Sequence, residues 1–302
     1  MNLENKLLLK GIALMLGAMS VVPMLDVIAK ILSESYPVVQ IAWARFAFHT
    51  LWLLPLLYWK KLRWWQMPRQ PGFHLLRSLM LTLATLFFFT AIKTNPIPNA
   101  LTLLFVSPLI VAMLAPFVLG ERFDIFIGVG VLVGFVGVVI VLQPDTDQFK
   151  PSLLYALVAG FCYSLYIITT RKLSLSGPPL LTLFYTAIVG TLVLGPMAVS
   201  SWVAPDLMGI LMSATMGLVA AISHFMIIKS FENATASELS PFGYFEIVVA
   251  MVLSYFVFKF VPTSEAVVGL IIIISSGLFV SWRAMKNNKT ITKKSESVIE
   301  ML

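Results

Sequence analysis

Along most of this chain apolar residues come in runs of about twenty, separated by short polar breaks rich in Pro, Gly, Ser and Asn. A helix rises about 1.5 Å per residue, so a run of about 20 crosses a hydrocarbon layer of roughly 30 Å. The pattern predicts ten spans: Leu9–Leu32, Val38–Trp59, Phe73–Ile92, Asn99–Leu119, Ile125–Leu142, Ser152–Thr170, Leu180–Val199, Leu207–Ile228, Ser237–Phe258 and Glu265–Met285. Runs of this length are too long for strands, and only helices or closed barrels satisfy their backbone groups in lipid. The expected class is therefore an all-α polytopic membrane protein with ten transmembrane helices.

Composition strengthens this reading. The 302 residues are 59% hydrophobic and 12% charged, with a mean hydropathy of +0.93, too little charge for a soluble domain of this size. A net charge of +7 would suit an acidic partner, but its distribution argues otherwise. Sixteen Lys and Arg, among them Arg69, Arg77, Arg122, Arg171, Lys229 and the C-terminal group, fall in alternate loops and the tail. The other loops hold Lys93, Lys150 and Lys259, with Lys30 close by. This asymmetry predicts cytoplasmic termini at a cell membrane and leaves no basic face for nucleic acid. Trp64, Trp65 and Trp202 stand where interfacial aromatics belong. The first run is too long for a signal peptide and lacks an Ala-x-Ala site, so it is expected to stay. Residues 286–302 read as a polar, mobile cytoplasmic tail. The single cysteine, Cys162, lies in an apolar run as a small hydrophobe.

The chain also repeats itself. Ala91–Arg122 reads AIKTNPIPNALTLLFVSPLIVAMLAPFVLGER, and 139 residues later Ser230–Val261 reads SFENATASELSPFGYFEIVVAMVLSYFVFKFV. Each has a polar turn, a helix start of small and polar residues, an aromatic before the central apolar run and a second aromatic near its end. Gly130 and Gly269 fall in the same register. The units, residues 9–142 and 151–285, hold five spans each, an odd number, so the second is inverted relative to the first. Inverted five-helix repeats are a plan of secondary transporters.

Several motifs then carry a family likeness. They are Asp26-x-x-x-Lys30, Arg45-Phe46, Leu76-Arg77-Ser78, Ala100 through Pro108, Gly120-Glu121-Arg122, and Ala236 through Glu246. With these the chain resembles the drug/metabolite transporter superfamily, specifically its ten-helix EamA-type members, over roughly residues 11–282. The acid and lysine in span 1 with the arginine in span 2 look closest to a subgroup of riboflavin and S-adenosylmethionine carriers. Lys259-Phe260 departs from the Gly-Glu usual in the second copy. The resemblance implies a central cavity lined mostly by spans 1, 3, 4, 6, 8 and 9. It does not name the solute.

Ionisable groups inside a span cost roughly 2.5–3.5 kcal/mol each on translocon scales, so they face protein or water and need partners. Arg45 lies about 4–5 Å outside the bilayer centre; it either binds an anionic solute group or fixes helix packing through a carboxylate. Glu246, the deepest carboxylate, is a site for a proton or a cationic solute group, or a hydrogen-bonded link between spans 9 and 4. Asp26 and Lys30 share one helix face and read as a local ion pair, unless Lys30 snorkels outward and frees Asp26 for Arg45. His49 shares the face of Arg45 and His224 lies toward the cytoplasmic end of span 8; each is a proton relay or a packing residue. Tyr163, Tyr166 and Tyr244, with Trp43, Phe242 and Phe245, are candidate walls for a planar solute. Asp26 and Glu246 balance Lys30 and Arg45. Pro23, Pro55, Pro108, Pro116, Pro196 and Pro241 are candidate hinges.

The function these features predict is secondary transport of a small organic metabolite by alternating access. The expected partners are a small-molecule substrate and the lipid bilayer; oligomeric state stays open. A membrane enzyme is the alternative, but the chain lacks a P-loop, a His-Glu-x-x-His motif and clustered aspartates. No cofactor and no metal are expected. A channel would call for a filter motif or a charged ring.

Overall fold

The computed structural model describes residues 3–63, 65, 68–119, 125–142, 150–173, 177–234, 239 and 242–299. Eleven α-helices among them supply the ten spans: α1 (Leu3–Leu32), α2 (Val38–Trp59), α3 (Pro71–Thr94), α4 (Ile97–Leu104), α5 (Ser107–Leu119), α6 (Ile125–Leu142), α7 (Leu154–Leu173), α8 (Pro179–Val199), α9 (Leu207–Asn233), α10 (Phe245–Phe258) and α11 (Ser264–Ile299). Five described helices are long and apolar enough to cross a membrane by themselves. The helix α2 is not among these five, because its buried face carries Gln40, Arg45 and His49. Apolar side chains such as Phe117, Leu132, Leu192 and Met208 are exposed on the outer surface, as lipid contact requires.

Three differences from the sequence expectation have physical causes. The fourth span is two helices, with Phe105 and Val106 in a turn between them. Pro108 lacks an N–H and its ring would strike the carbonyl four residues back, so it sits in the first turn of α5, where no such bond is needed. The ninth span is divided as well: Tyr244 forms a turn immediately before α10. The last helix does not stop at Met285 but continues to Ile299, since no Gly or Pro follows Gly277. Prolines 23, 55 and 196, by contrast, lie inside continuous helices. Trp64, the Gly120-Glu121-Arg122 turn, residues 236–238 and Pro241 lie outside the described residues.

Packing follows the inverted repeat. The helix pairs with the most extensive contact are α1 with α9, α3 with α7, α2 with α8, and α6 with α11. Exchanging the two halves turns α1–α9 into α7–α3 and leaves the other two pairs unchanged. The α6–α11 contact shows this symmetry at atomic level. A Cβ on Gly137 would lie 2.8 Å from the carbonyl oxygen of Gly269, and a Cβ on Gly269 would lie 2.8 Å from that of Gly137. Ser276, which is 139 residues after Gly137, donates its hydroxyl to the carbonyl of Gly130, the residue 139 before Gly269. Small residues let the two backbones touch, the usual basis of helix association in lipid.

Candidate functional site

The centre of the bundle is built where α2 is clamped between α8 and α9. Gly190 and Gly217 permit the approach: a Cβ on Gly190 would lie 2.5 Å from the Phe46 ring, and one on Gly217 would lie 2.7 Å from the backbone nitrogen of His49. The clamp brings Arg45, buried on α2, against His224 on α9, with a guanidinium nitrogen 2.7 Å from the ring Nε2. The same guanidinium donates to the Thr85 hydroxyl on α3. His224 Nδ1 lies 3.1 Å from the Tyr166 hydroxyl on α7.

A second buried arginine completes the arrangement. Arg77, fully buried on α3, donates to the Thr170 hydroxyl at 2.8 Å, the Thr182 carbonyl at 3.2 Å and the Tyr166 hydroxyl at 3.2 Å, and also to the Thr186 hydroxyl. Its guanidinium lies 4.7 Å from the centre of the Tyr166 ring, a cation–π contact. An unbroken path of side chains therefore runs from Arg77 through Tyr166 and His224 to Arg45 and Thr85. Arginine can only donate, so Nε2 of His224 must accept from Arg45. The proton of neutral His224 is then on Nδ1 and points at the Tyr166 oxygen. That oxygen already accepts from Arg77, so the hydroxyl hydrogen of Tyr166 is free for another acceptor. A protonated His224 would have to release Arg45.

Beside this path stand groups with unmet hydrogen-bonding capacity. Asp26 Oδ2, Arg45 Nε and both ring nitrogens of His49 are buried without a partner. His49 stacks on His224 with ring centres 6.4 Å apart. Asp26 is within electrostatic reach of Arg45 and of Glu246, and Tyr163 within reach of both carboxylates. Tyr163 and Tyr166 place their ring centres 5.5 Å apart. Glu246 is buried in the first turn of α10, an end where the helix dipole favours an acid. Phe105 and Tyr244, 139 residues apart, meet at the two helix breaks with ring centres 5.1 Å apart.

The sequence candidates thus divide. Asp26, Arg45, His49, Tyr163, Tyr166, His224 and Glu246 gather around one centre, and Tyr244 lies at the paired breaks. Lys30 does not join them: its ammonium donates to the carbonyls of Ile92 at 2.5 Å and Asn95 at 2.8 Å, capping the C-terminal end of α3. The expected Asp26–Lys30 ion pair is therefore absent between these two described residues. Trp43 packs edge-on against Trp202, Phe242 joins the small cluster around Met15 and Met19, and Phe245 is exposed. Arg77 corrects the charge count, since its place near a span's end suggests a cytoplasmic segment and the fold buries it instead. Its signal is the polar stripe Arg77, Ser78, Thr82 and Thr85, all buried on one side of α3. Replacing Lys30 by Arg77 preserves the balance, two buried carboxylates against two guanidinium groups. Among the described residues no group of three or more His, Cys, Asp and Glu is placed to hold a metal.

The chain has relatives among known proteins. The model of the EamA-like transporter family matches residues 9–143 and 150–282. An S-adenosylmethionine uptake transporter of Rickettsia prowazekii is 29% identical over 98% of this chain and 100% of its own. A riboflavin transporter of Vibrio cholerae is 26% identical over 84% of this chain and 86% of its own. A solved crystal structure superposes with a TM-score of 0.66 at 15% identity, over 93% of this chain and 98% of that one. That last likeness shows the fold alone.

Proposed function

The chain belongs to the EamA-like transporter family, and from that premise we propose that its solute is a zwitterion carrying a nucleoside, of the S-adenosylmethionine kind. Transport of a small organic solute across a membrane follows from the family. The finer reading rests on the buried charges: Asp26 lies within electrostatic reach of Arg45 and of Glu246, with Tyr163 and Tyr166 beside them. A sulfonium or ammonium centre pairs with the carboxylates, an α-carboxylate with Arg45, and a purine ring stacks on the tyrosines. Riboflavin, which has no fixed charge, would leave both carboxylates without a cation. The relatives point the same way, since the S-adenosylmethionine carrier matches over the longer stretch.

In this reading the solute displaces Arg45 from His224 and Thr85, and the two halves rock about the α2–α8 and α6–α11 contacts in alternating access. The Lys and Arg distribution favours both termini in the cytoplasm. Solute exchange or an ion gradient supplies the energy. Proteoliposomes holding only this protein test the reading. Labelled S-adenosylmethionine should enter saturably, faster when unlabelled compound is trapped inside, and riboflavin should compete poorly. Riboflavin uptake without S-adenosylmethionine uptake would reverse the assignment. Replacing Glu246 with Gln should flatten the pH profile of uptake, and an unchanged profile would remove Glu246 from the mechanism.

A further inference from the structure

The end of the molecule away from the Lys- and Arg-rich loops has few cations: Lys30, Lys93, Lys150 and Lys259. Three of the four line a single cavity of about 470 Å³. They reach it from three separate places, the last turn of α1, the residue before the turn leading into α7, and the C-terminal end of α10. The ends of α3 and α4 close the other side, so the cavity sits over the helices that enclose the buried centre. Depletion of cations on this side makes their convergence a positive feature of the site rather than a by-product of composition.

Two details show that the cavity is built to receive something. Ser254 lines it with a buried hydroxyl that has no hydrogen-bond partner. Lys259 holds the left-handed conformation, φ 55°, at the end of α10, a position that glycine fills without steric cost. In the first copy the residue 139 positions earlier is Gly120. The second copy places a charge where the backbone favours having no side chain. Lys30 spends two ammonium hydrogens on the carbonyls of Ile92 and Asn95, leaving the third for a ligand.

We propose that this vestibule is an oxyanion-binding site, taking a carboxylate or phosphate group from an arriving solute or from a lipid headgroup. Lys150 and Lys259 supply positive charge, Ser254 an O–H donor, and Lys30 the link to the end of α3. An oxyanion drawing Lys30 away from Ile92 and Asn95 would uncap α3. The solute source rests on the zwitterion reading above; the site itself does not.

Nanodiscs of purely zwitterionic lipid provide the first test. Inorganic phosphate, against chloride at equal ionic strength, should raise the melting temperature of the wild type saturably. The Lys150→Gln/Lys259→Gly double variant, whose glycine relieves the backbone, should fold as well and lose that rise. A rise of equal size in both proteins, or none in either, overturns the site. Anionic-lipid nanodiscs distinguish the sources. If the lipid alone raises the wild-type melting temperature and phosphate adds nothing, a headgroup is the occupant; if phosphate still adds its increment, the occupant is free. In the free case, Lys259→Gly should raise the KM for S-adenosylmethionine roughly fivefold with kcat unchanged. Wild-type protein that binds phosphate but moves no S-adenosylmethionine would defeat the solute reading and leave the vestibule standing.

Discussion

In the first five-helix copy the buried ionisable side chains include Asp26, Arg45, His49 and Arg77; in the second, those described are His224 and Glu246 with Tyr166 and Tyr244. The second copy instead supplies neutral acceptors, Thr170, Thr182 and Thr186, to the arginine of the first. The frame obeys the repeat: Phe105 meets its counterpart Tyr244, and the Gly137–Gly269 contact is matched by that of Gly130 with Ser276. A helical frame can therefore be copied and inverted while both buried arginines stay in one copy and draw most of their acceptors from the other. The frame is symmetric between the two copies, and the charges are not.

The largest effect should come from the asymmetric part. Arg77→Lys keeps a buried charge but cannot serve α7 and α8 together, and should cost about 2–4 kcal/mol. Arg77→Met removes the charge with its bonds and should cost less. Thermal melting in detergent checks the order; a methionine variant worse than the lysine one would show that the side chain matters for packing rather than for its charge.

The symmetric frame gives the next test. Gly137→Ala and Gly269→Ala each drive a methyl into the other glycine's carbonyl, and each should cost about 1–3 kcal/mol. A methyl on Gly269 also meets the Val141 side chain, so Gly269→Ala should be the costlier of the two. No loss in either variant would show that the backbone approach at this seam is not tight.

Tyr244→Phe removes a buried hydroxyl that has no partner and keeps the ring on Phe105, so stability should hold or rise by about 1 kcal/mol. Loss of transport without loss of stability would assign that hydroxyl to the solute. The smallest effect concerns Asp206, which caps α9 by accepting from the Gly209 N–H at 2.7 Å and from the Tyr36 hydroxyl at 3.0 Å. These bonds hold its carboxyl below the usual range. A depressed folded value stabilises above the unfolded value and is lost as pH falls through the folded one. The melting-temperature gap between wild type and Asp206→Ala should therefore narrow as pH is lowered past about 4.

Periodicity and run length are enough to read the ten spans, the inverted repeat and most of the central side chains from the sequence. The break at Phe105 is less legible, because Pro108 alone does not say whether a helix bends, as around Pro23, or divides. Arg77 escapes sequence reading because a basic residue near a span's end looks like a loop charge. Its burial depends on threonines from α7 and α8, which no local pattern connects to it. Spacing pairs Lys30 with the acid four residues back, whereas its carbonyl partners are separated from it by 62 and 65 residues. Local spacing finds faces of helices; it does not find which distant helix end needs a cation.

The exchange of partners between halves bears finally on how the chain is made. Arg77 reaches the membrane 93 residues before Thr170 and 109 before Thr186. At a synthesis rate of about 5–20 residues per second, its guanidinium waits roughly 5–20 s for its acceptors. During that wait the half-made protein must keep a cation solvated at the edge of the bilayer, with α3 only partly inserted. Insertion of the third span is thus completed by the sixth and seventh, and a ribosome stalled after residue 142 should leave Arg77 open to water-soluble reagents.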